Sequence, residues 1–207
     1  MTGSVDEPAP AGRERLVGDG RSGGGLSPED AAAVEAQLGR PSRGALGVAH
    51  RCGCGRPDVV ATVPRLPDGT PFPTTFYLTC PRAAAAIGTL ESDGVMRAMT
   101  ERLAQDEELA AGHAAAHEDY LRRRTALGDV PEIAGVSAGG MPTRVKCLHV
   151  LVAHALAAGP GVTPLGDEAL AMLDDWAVRG PCVDAGTGPG DAADPAAGQA
   201  SPERDSR

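Results

Sequence analysis

The sequence predicts an α+β domain, a small three-stranded antiparallel sheet packed against about four to five helices. Two observations carry this. Three short strand-like runs, 45–50, 58–63 and 73–79, follow one another with short links, and β-branched and aromatic residues fill the second and third. From Pro81 onward the apolar residues switch to three- and four-residue spacing and keep it as far as Trp176.

The first element is a short helix. Ser27 is its N-cap, Asp30 sits three residues later, Ala33, Val34 and Leu38 follow at helical spacing, and Gly39 ends it. The three strands come next. Asp68-Gly69 marks the turn between the second and third, and Pro64 and Pro73 lie at strand ends, where a missing N–H is tolerated. The short links make the sheet a meander. Pro81 suits a first helical turn, and the helix it opens runs to about Leu90. After Gly94, residues from Val95 to Leu127 predict one long amphipathic helix, with Gly112 as a place for a kink. A glycine-rich loop at 135–140 leads to a helix over 142–158 with Val145, Leu148, Val152 and Leu156 as its core stripe. Asp167 caps a last helix carrying Leu170, Leu173 and Trp176.

The five aromatic residues, Phe72, Phe76, Tyr77, Tyr120 and Trp176, place a single core within roughly residues 27–178. Residues 1–26 and 181–207 are rich in Gly, Pro, Ser and charge and lack apolar periodicity, so both are expected to be disordered tails flanking one domain at 27–180. Net charge is −9. An acidic chain poor in aromatics argues against nucleic-acid binding, which needs basic surface. The one dense basic run, Arg122-Arg123-Arg124, is expected to be a solvated helix face. No stretch is long and apolar enough to span a bilayer, and no signal-peptide region is present, so a cytoplasmic protein with free or metal-bound thiols is expected.

The chemistry-bearing residues cluster. Of the five cysteines, all but Cys182 lie between His50 and His154, as do all five histidines. In a meander, the end of the first strand (Cys52), the start of the second (Cys54) and the end of the third (Cys80) share one edge of the sheet. Three thiolates converging there, with Cys147 as the fourth ligand and His149 or His154 as alternates, predict a tetrahedral zinc site. Cys147 and His154 are taken to share one helix face, with His149 pointing elsewhere. Cys182, in the tail, is expected to stand apart. His113 and His117 face the same way on their helix, but Ala114 follows His113 where a metalloprotease motif needs Glu, so they are expected to form a polar helix edge. His50 is assigned to packing or surface. Gly139 and Gly140 before a helix N-terminus, with Arg144 and Lys146 beside them, form a candidate anion site, although a plain structural loop is the simpler reading.

The motifs Cys-x-Cys-Gly-x-Pro at 52–57, Pro-Arg-Leu-x-Asp-Gly-Thr-Pro-Phe-Pro-Thr at 64–74, Tyr-Leu-Thr at 77–79 and Gly-Gly-Met-Pro-x-Arg-Val-Lys-Cys-Leu-His at 139–149 resemble the bacterial family known as domain of unknown function 501. Ala153-His154, Gly159-Pro160-Gly161-Val162 and Gly166-Asp167 extend the resemblance over roughly residues 30–178. The chain departs from that pattern at Thr163, where Asn is expected, and at Cys80, where His is expected; the second exchange keeps a zinc ligand. The resemblance implies a mostly actinobacterial, intracellular single domain, encoded near a septum-formation initiator and an exopolyphosphatase. It implies no reaction.

Two functions fit these observations best, with a redox-sensing thiol protein without metal as a third. One is a cytoplasmic domain with a structural zinc, acting through a protein partner, with a link to cell division implied by the resemblance. The other is a metal-dependent hydrolase or binding protein for a phosphorylated ligand, with Arg144 and Lys146 on the phosphate and His117 or His149 as acid or base. Four protein ligands favour the first, and three plus an open position favour the second.

Overall fold

In a computed structural model the chain is described over residues 25–173, 176–178 and 180–183. Most of both predicted tails lies outside these residues. Ser27 caps the first helix, α1 (Pro28–Leu38), by accepting the Asp30 N–H at 3.1 Å, and Gly39 closes it at φ 66°. Strands β1 (Ala45–Arg51), β2 (Pro57–Thr62) and β3 (Phe76–Leu78) form an antiparallel sheet in the order β1-β2-β3, the expected meander. β3 is shorter than its sequence run. The Thr75 N–H donates to the Tyr120 hydroxyl at 2.7 Å, so a helix side chain takes the donor just before the strand.

Six α-helices are described. After α1 come α2 (Pro81–Ser92), α3 (Val95–Leu103), α4 (Glu107–Leu127), α5 (Leu148–Ala158) and α6 (Pro164–Ala171). The single long helix expected over Val95–Leu127 is in fact α3 and α4. Asp106 breaks it, leaving the helical backbone and accepting the Leu109 N–H at 2.9 Å as the N-cap of α4, with Glu107 and Glu108 in the first turn. Gly112 marks a close approach: a Cβ there would lie 3.0 Å from Pro164 Cγ.

The helix expected over 142–158 also starts later, at Leu148. Residues 139–147 fold as a tight loop, with Lys146 N–H on the Gly139 carbonyl at 2.7 Å and Arg144 N–H on the Gly140 carbonyl at 3.2 Å. Gly140 sits at φ 93°, and a Cβ there would come 2.9 Å from both the Arg144 carbonyl oxygen and Lys146 Cβ. The sequence pattern at 142–147 is compatible with a helix, but loop closure uses the Arg144 and Lys146 amides, and the Val145 N–H goes to the Thr100 hydroxyl at 3.0 Å. Val145 is buried all the same, while Leu156 is only half-buried. Asp167 is not the cap of α6. Thr163 holds that position, and Asp167 instead accepts the Gly161 N–H at 2.8 Å.

One core joins sheet and helices, built on Val59, Phe76, Ile87, Tyr120, Leu151 and Leu165. Fully burying side chains of this size contributes about 1.5–3 kcal/mol each. α6 lies close on α5 because Gly166 has no side chain; a Cβ there would lie 2.4 Å from the Leu151 carbonyl oxygen. The basic run on α4 is not a solvated face. Arg124 is 4% exposed and donates to the carbonyls of Ile133 (2.6 Å) and Val136. Arg123 pairs with Asp119 at 2.5 Å, and only Arg122, also on Asp119, is largely exposed. No helix among the described residues is long and apolar enough to cross a membrane.

Candidate metal centres

α2 ends against the start of α5, and Glu91, Cys147 and His149 meet at that junction. Each offers one ligand atom, all within 4.8 Å of one another, and this is the only such group of three among the described residues. Cys147 is the N-cap residue of α5, with extended backbone at φ −154°, and makes no side-chain cap bond. His149 lies in the first turn, with Nδ1 3.2 Å from Glu91 Oε1 and Nε2 3.2 Å from the Ala84 carbonyl. A carbonyl can only accept, so Nε2 carries a proton and donates to it. Nδ1 is left facing the carboxylate and the thiol. This is the division of labour found in metal-bound imidazoles, where one nitrogen binds the ion and the other donates to a carbonyl or carboxylate. Glu91 Oε1 also accepts the Leu148 N–H at 2.7 Å, which fixes the carboxylate. Without an ion the imidazole pKa stands at about 9. Hydrogen bonding with Cys147 raises it first, burial opposes, and Glu91 raises it again. An ion at Nδ1 takes the place of that proton.

The structure divides the sequence-predicted ligands between two places. Cys52 and Cys54, in the loop after β1, and Cys80, after β3, lie toward one end of the sheet with no three described sulfurs within 4.8 Å of one another, and Cys147 is at the α2–α5 junction instead. The shared-face argument for Cys147 and His154 does not hold, because Cys147 precedes the helix. His149 is the histidine beside it. His154 is fully buried: its Nε2 is 2.8 Å from Asp119 Oδ2 and its Nδ1 is 3.1 Å from Thr163 Oγ1. It stacks on Phe76 at 5.7 Å between centroids, and neither ring nitrogen is left for an ion. Burial lowers its pKa despite the Asp119 carboxylate.

At the sheet edge, burial pushes the Cys52 thiol up to about 12, although the Cys54 amide eases it. Burial also acts on Cys54, but amide donors from Arg56 and Cys182 and the neighbouring sulfurs outweigh it and lower its pKa. Cys182 is not apart from this group: its Sγ is 3.8 Å from Cys54 Sγ.

The remaining candidates have local partners, except that His113 Nδ1 is buried without one among the described residues. His117 Nδ1 is 2.9 Å from Ser137 Oγ, and His113 Nε2 is 3.4 Å from the Arg144 carbonyl. Both rings are buried against the glycine loop and are not a polar edge. His50 pairs with Asp58 at 2.8 Å. Gly139 and Gly140 use their carbonyls to close the loop, while the side chains of Arg144 and Lys146 are exposed.

Residues 48–171 match the family described as Protein of unknown function (DUF501). The chain belongs to that family. No curated protein and no solved structure matches the chain significantly. The DUF501 match contains Glu91, Cys147 and His149 along with Cys52, Cys54 and Cys80, and ends before Cys182.

Sequence reasoning missed Glu91. A signal was present: it is an acid in the last turn of α2, where the helix dipole disfavours negative charge. An acid in that position needs a local partner, and α5 provides one.

Proposed function

We propose that this domain binds zinc at Glu91, Cys147 and His149, and that the ion keeps one coordination position open to solvent. The observation that carries this is the three-ligand cluster with His149 Nε2 donated to the Ala84 carbonyl. One thiolate, one imidazole and one carboxylate are borderline-soft donors suited to zinc. Three protein ligands on a tetrahedral ion leave a fourth position, and Glu91 and His149 are 23% and 31% exposed, so a small ligand can reach it. Zinc held this way supplies a Lewis acid or an activated water. The reading is therefore a metal centre for a phosphorylated ligand, as binding protein or hydrolase. Glu91 and the loop amides fix the ligand set, and the exposed Lys146 directly before Cys147 adds positive charge.

The Glu91 bond to the Leu148 N–H favours a second reading. Here the ion braces α2 against the start of α5 and supports a surface for a protein partner, the role with a link to cell division. Cobalt substitution separates the two. In the open-site reading, adding inorganic phosphate or a phosphate ester changes the visible spectrum of the cobalt form, and Glu91→Gln with His149→Ala removes the response. A cobalt spectrum indifferent to phosphate, with a large loss of thermal stability on chelation, selects the bracing role. A chain that binds no zinc or cobalt ends both.

A further inference from the structure

Beyond that centre, we propose a second zinc site, closed and structural, in which Cys52, Cys54, Cys80 and Cys182 supply four thiolates and the ion clasps residues 180–183 to the edge of the sheet. The site is built from three directions. β1 runs out at Arg51 into a tight loop in which the Cys52 N–H donates to the Arg56 carbonyl at 2.9 Å and the Gly55 N–H to the Cys52 carbonyl at 2.8 Å, with Gly55 at φ 83°. The loop sets the Cys52 and Cys54 sulfurs side by side and turns the amides of Cys54 and Arg56 onto them. Cys80, fully buried, stands at the N-cap of α2, two residues after β3.

Residues 176–178 and 180–183 complete the group. The Ala177 carbonyl lies 3.9 Å from Cys52 Sγ and where a Cβ on Gly53 would come within 3.0 Å of it. Arg82 Nη1 donates to the Gly180 carbonyl at 2.9 Å. Cys182 Sγ then sits 3.8 Å from Cys54 Sγ. Two sulfurs on one tetrahedral zinc, each with a bond of about 2.3 Å, are separated by about 3.8 Å. A disulfide needs about 2.05 Å.

The second observation is Gln37. Its amide, 9% exposed, donates to the Pro57 carbonyl at 2.7 Å and aims Nε2 at Cys182 Sγ at 3.2 Å, while its Oε1 is buried without a partner. A buried amide oriented onto a sulfur, together with backbone amides on two others, offers donors suited to thiolates. A bound ion would displace the thiol protons of these four cysteines and be held by the thiolates that result. Soft sulfur in fourfold array selects zinc among ordinary divalent ions. With four protein ligands no position is left for water, so this ion holds structure.

The test uses the full-length chain purified under reducing conditions without chelator, in wild type and in a Glu91→Gln, Cys147→Ser, His149→Ala background that removes the first centre. The expected result is two zinc ions per wild-type chain and one in that background. Cobalt in the background chain should then show the sulfur-to-metal absorption of four thiolates. Cys182→Ser in that background should reduce the absorption to three thiolates and weaken affinity by about tenfold or more, since loss even of groups behind the ligands costs that much. Cys182→His should restore affinity. Hydrogen exchange at 180–183 should quicken in Cys182→Ser and on chelation while the sheet amides stay protected, which shows that the fold is intact. A background chain without metal, a Cys182→Ser chain with unchanged affinity and spectrum, or a Cys54–Cys182 disulfide in the reduced preparation would each overturn the site.

Discussion

Two histidines on one helix, His149 and His154, have opposite surroundings. His154 lies at the centre of the molecule, its Nε2 on Asp119 and its Nδ1 on Thr163, between Phe76 and Tyr120. Both nitrogens are used: with Asp119 ionised, Nε2–H donates to the carboxylate and Nδ1 accepts the Thr163 hydroxyl. His149 sits at the helix start, partly exposed, with one nitrogen committed to a backbone carbonyl and the other turned toward an acid and a thiol. The difference teaches where capacity for a ligand resides. A buried, fully satisfied imidazole stabilises; a half-exposed one whose second nitrogen faces other metal donors is available to bind.

The largest effect should come from removing the carboxylate under His154. Asp119→Ala strands His154 and Arg123 inside the protein, and breaking a buried charged network of this kind costs about 3–5 kcal/mol. Urea unfolding measures it. A loss below about 1 kcal/mol would remove the contrast, because His154 would then be no more constrained than His149.

Acidification should separate the interior from the surface next. Burial lowers the pKa values of His154 and His113 below that of a free imidazole, so the unfolded chain binds protons that the folded chain refuses. Their contribution is complete above the unfolded pKa of about 6.5 and is lost as pH falls below it, with a slope of at most about 1.4 kcal/mol per pH unit for each group. Asp119, whose own pKa is lowered by His154 and Arg123 against burial, extends the loss in the same direction: its contribution is present above the unfolded value of about 4 and disappears as pH falls through the folded one. His154→Asn should flatten the stability–pH curve between pH 7 and 5. An unchanged slope in that variant assigns the acid sensitivity elsewhere.

A smaller effect on stability, with a decisive one on metal, is expected at the α2–α5 junction. In the presence of chelator, Glu91→Gln keeps an oxygen for the Leu148 N–H and should cost no more than about 1 kcal/mol. Its zinc affinity, measured by competition with a chromophoric chelator, should fall by at least about tenfold. Equal affinity in variant and wild type would place the ion elsewhere.

The smallest effect belongs to the glycine loop. Arg144→Ala with Lys146→Ala should leave stability within about 0.5 kcal/mol, because both side chains are exposed. Phosphate binding by the metal-loaded chain should weaken by no more than about fivefold, the scale of solvent-screened charges. Calorimetric titration with phosphate checks this. A far larger loss would make the loop, and not the metal junction, the primary anion site.

Much of the architecture was legible in the residues. The cap at Ser27, the Asp68-Gly69 turn, the strand runs and the switch to helical spacing at Pro81 are local signals, and each acts within a few residues of itself. The antiparallel meander followed from short links, and it placed Cys52, Cys54 and Cys80 toward one end of the sheet. The errors arose where a local pattern met a competing local bond. Asp106 looked like a polar position in a long helix but capped a new one, and residues 142–147 fitted helical spacing but spent the Arg144 and Lys146 amides on Gly140 and Gly139 and the Val145 amide on Thr100.

Which side chains meet across the chain was decided only by tertiary structure. Spacing made His154 the partner of Cys147, and the late start of α5 made it His149. Glu91 came from a helix whose own pattern gave it no purpose beyond an unfavourable place in the dipole. Cys182, read from composition as part of a tail, reached the sheet edge because the Arg82 and Gln37 contacts hold its segment there. The physical reason is range. Propensities, caps and turns are set by neighbours in sequence, whereas a ligand set is a coincidence of distant residues. Only packing of the core, which fixes where α2, α5 and the sheet edge come to rest, brings such residues together.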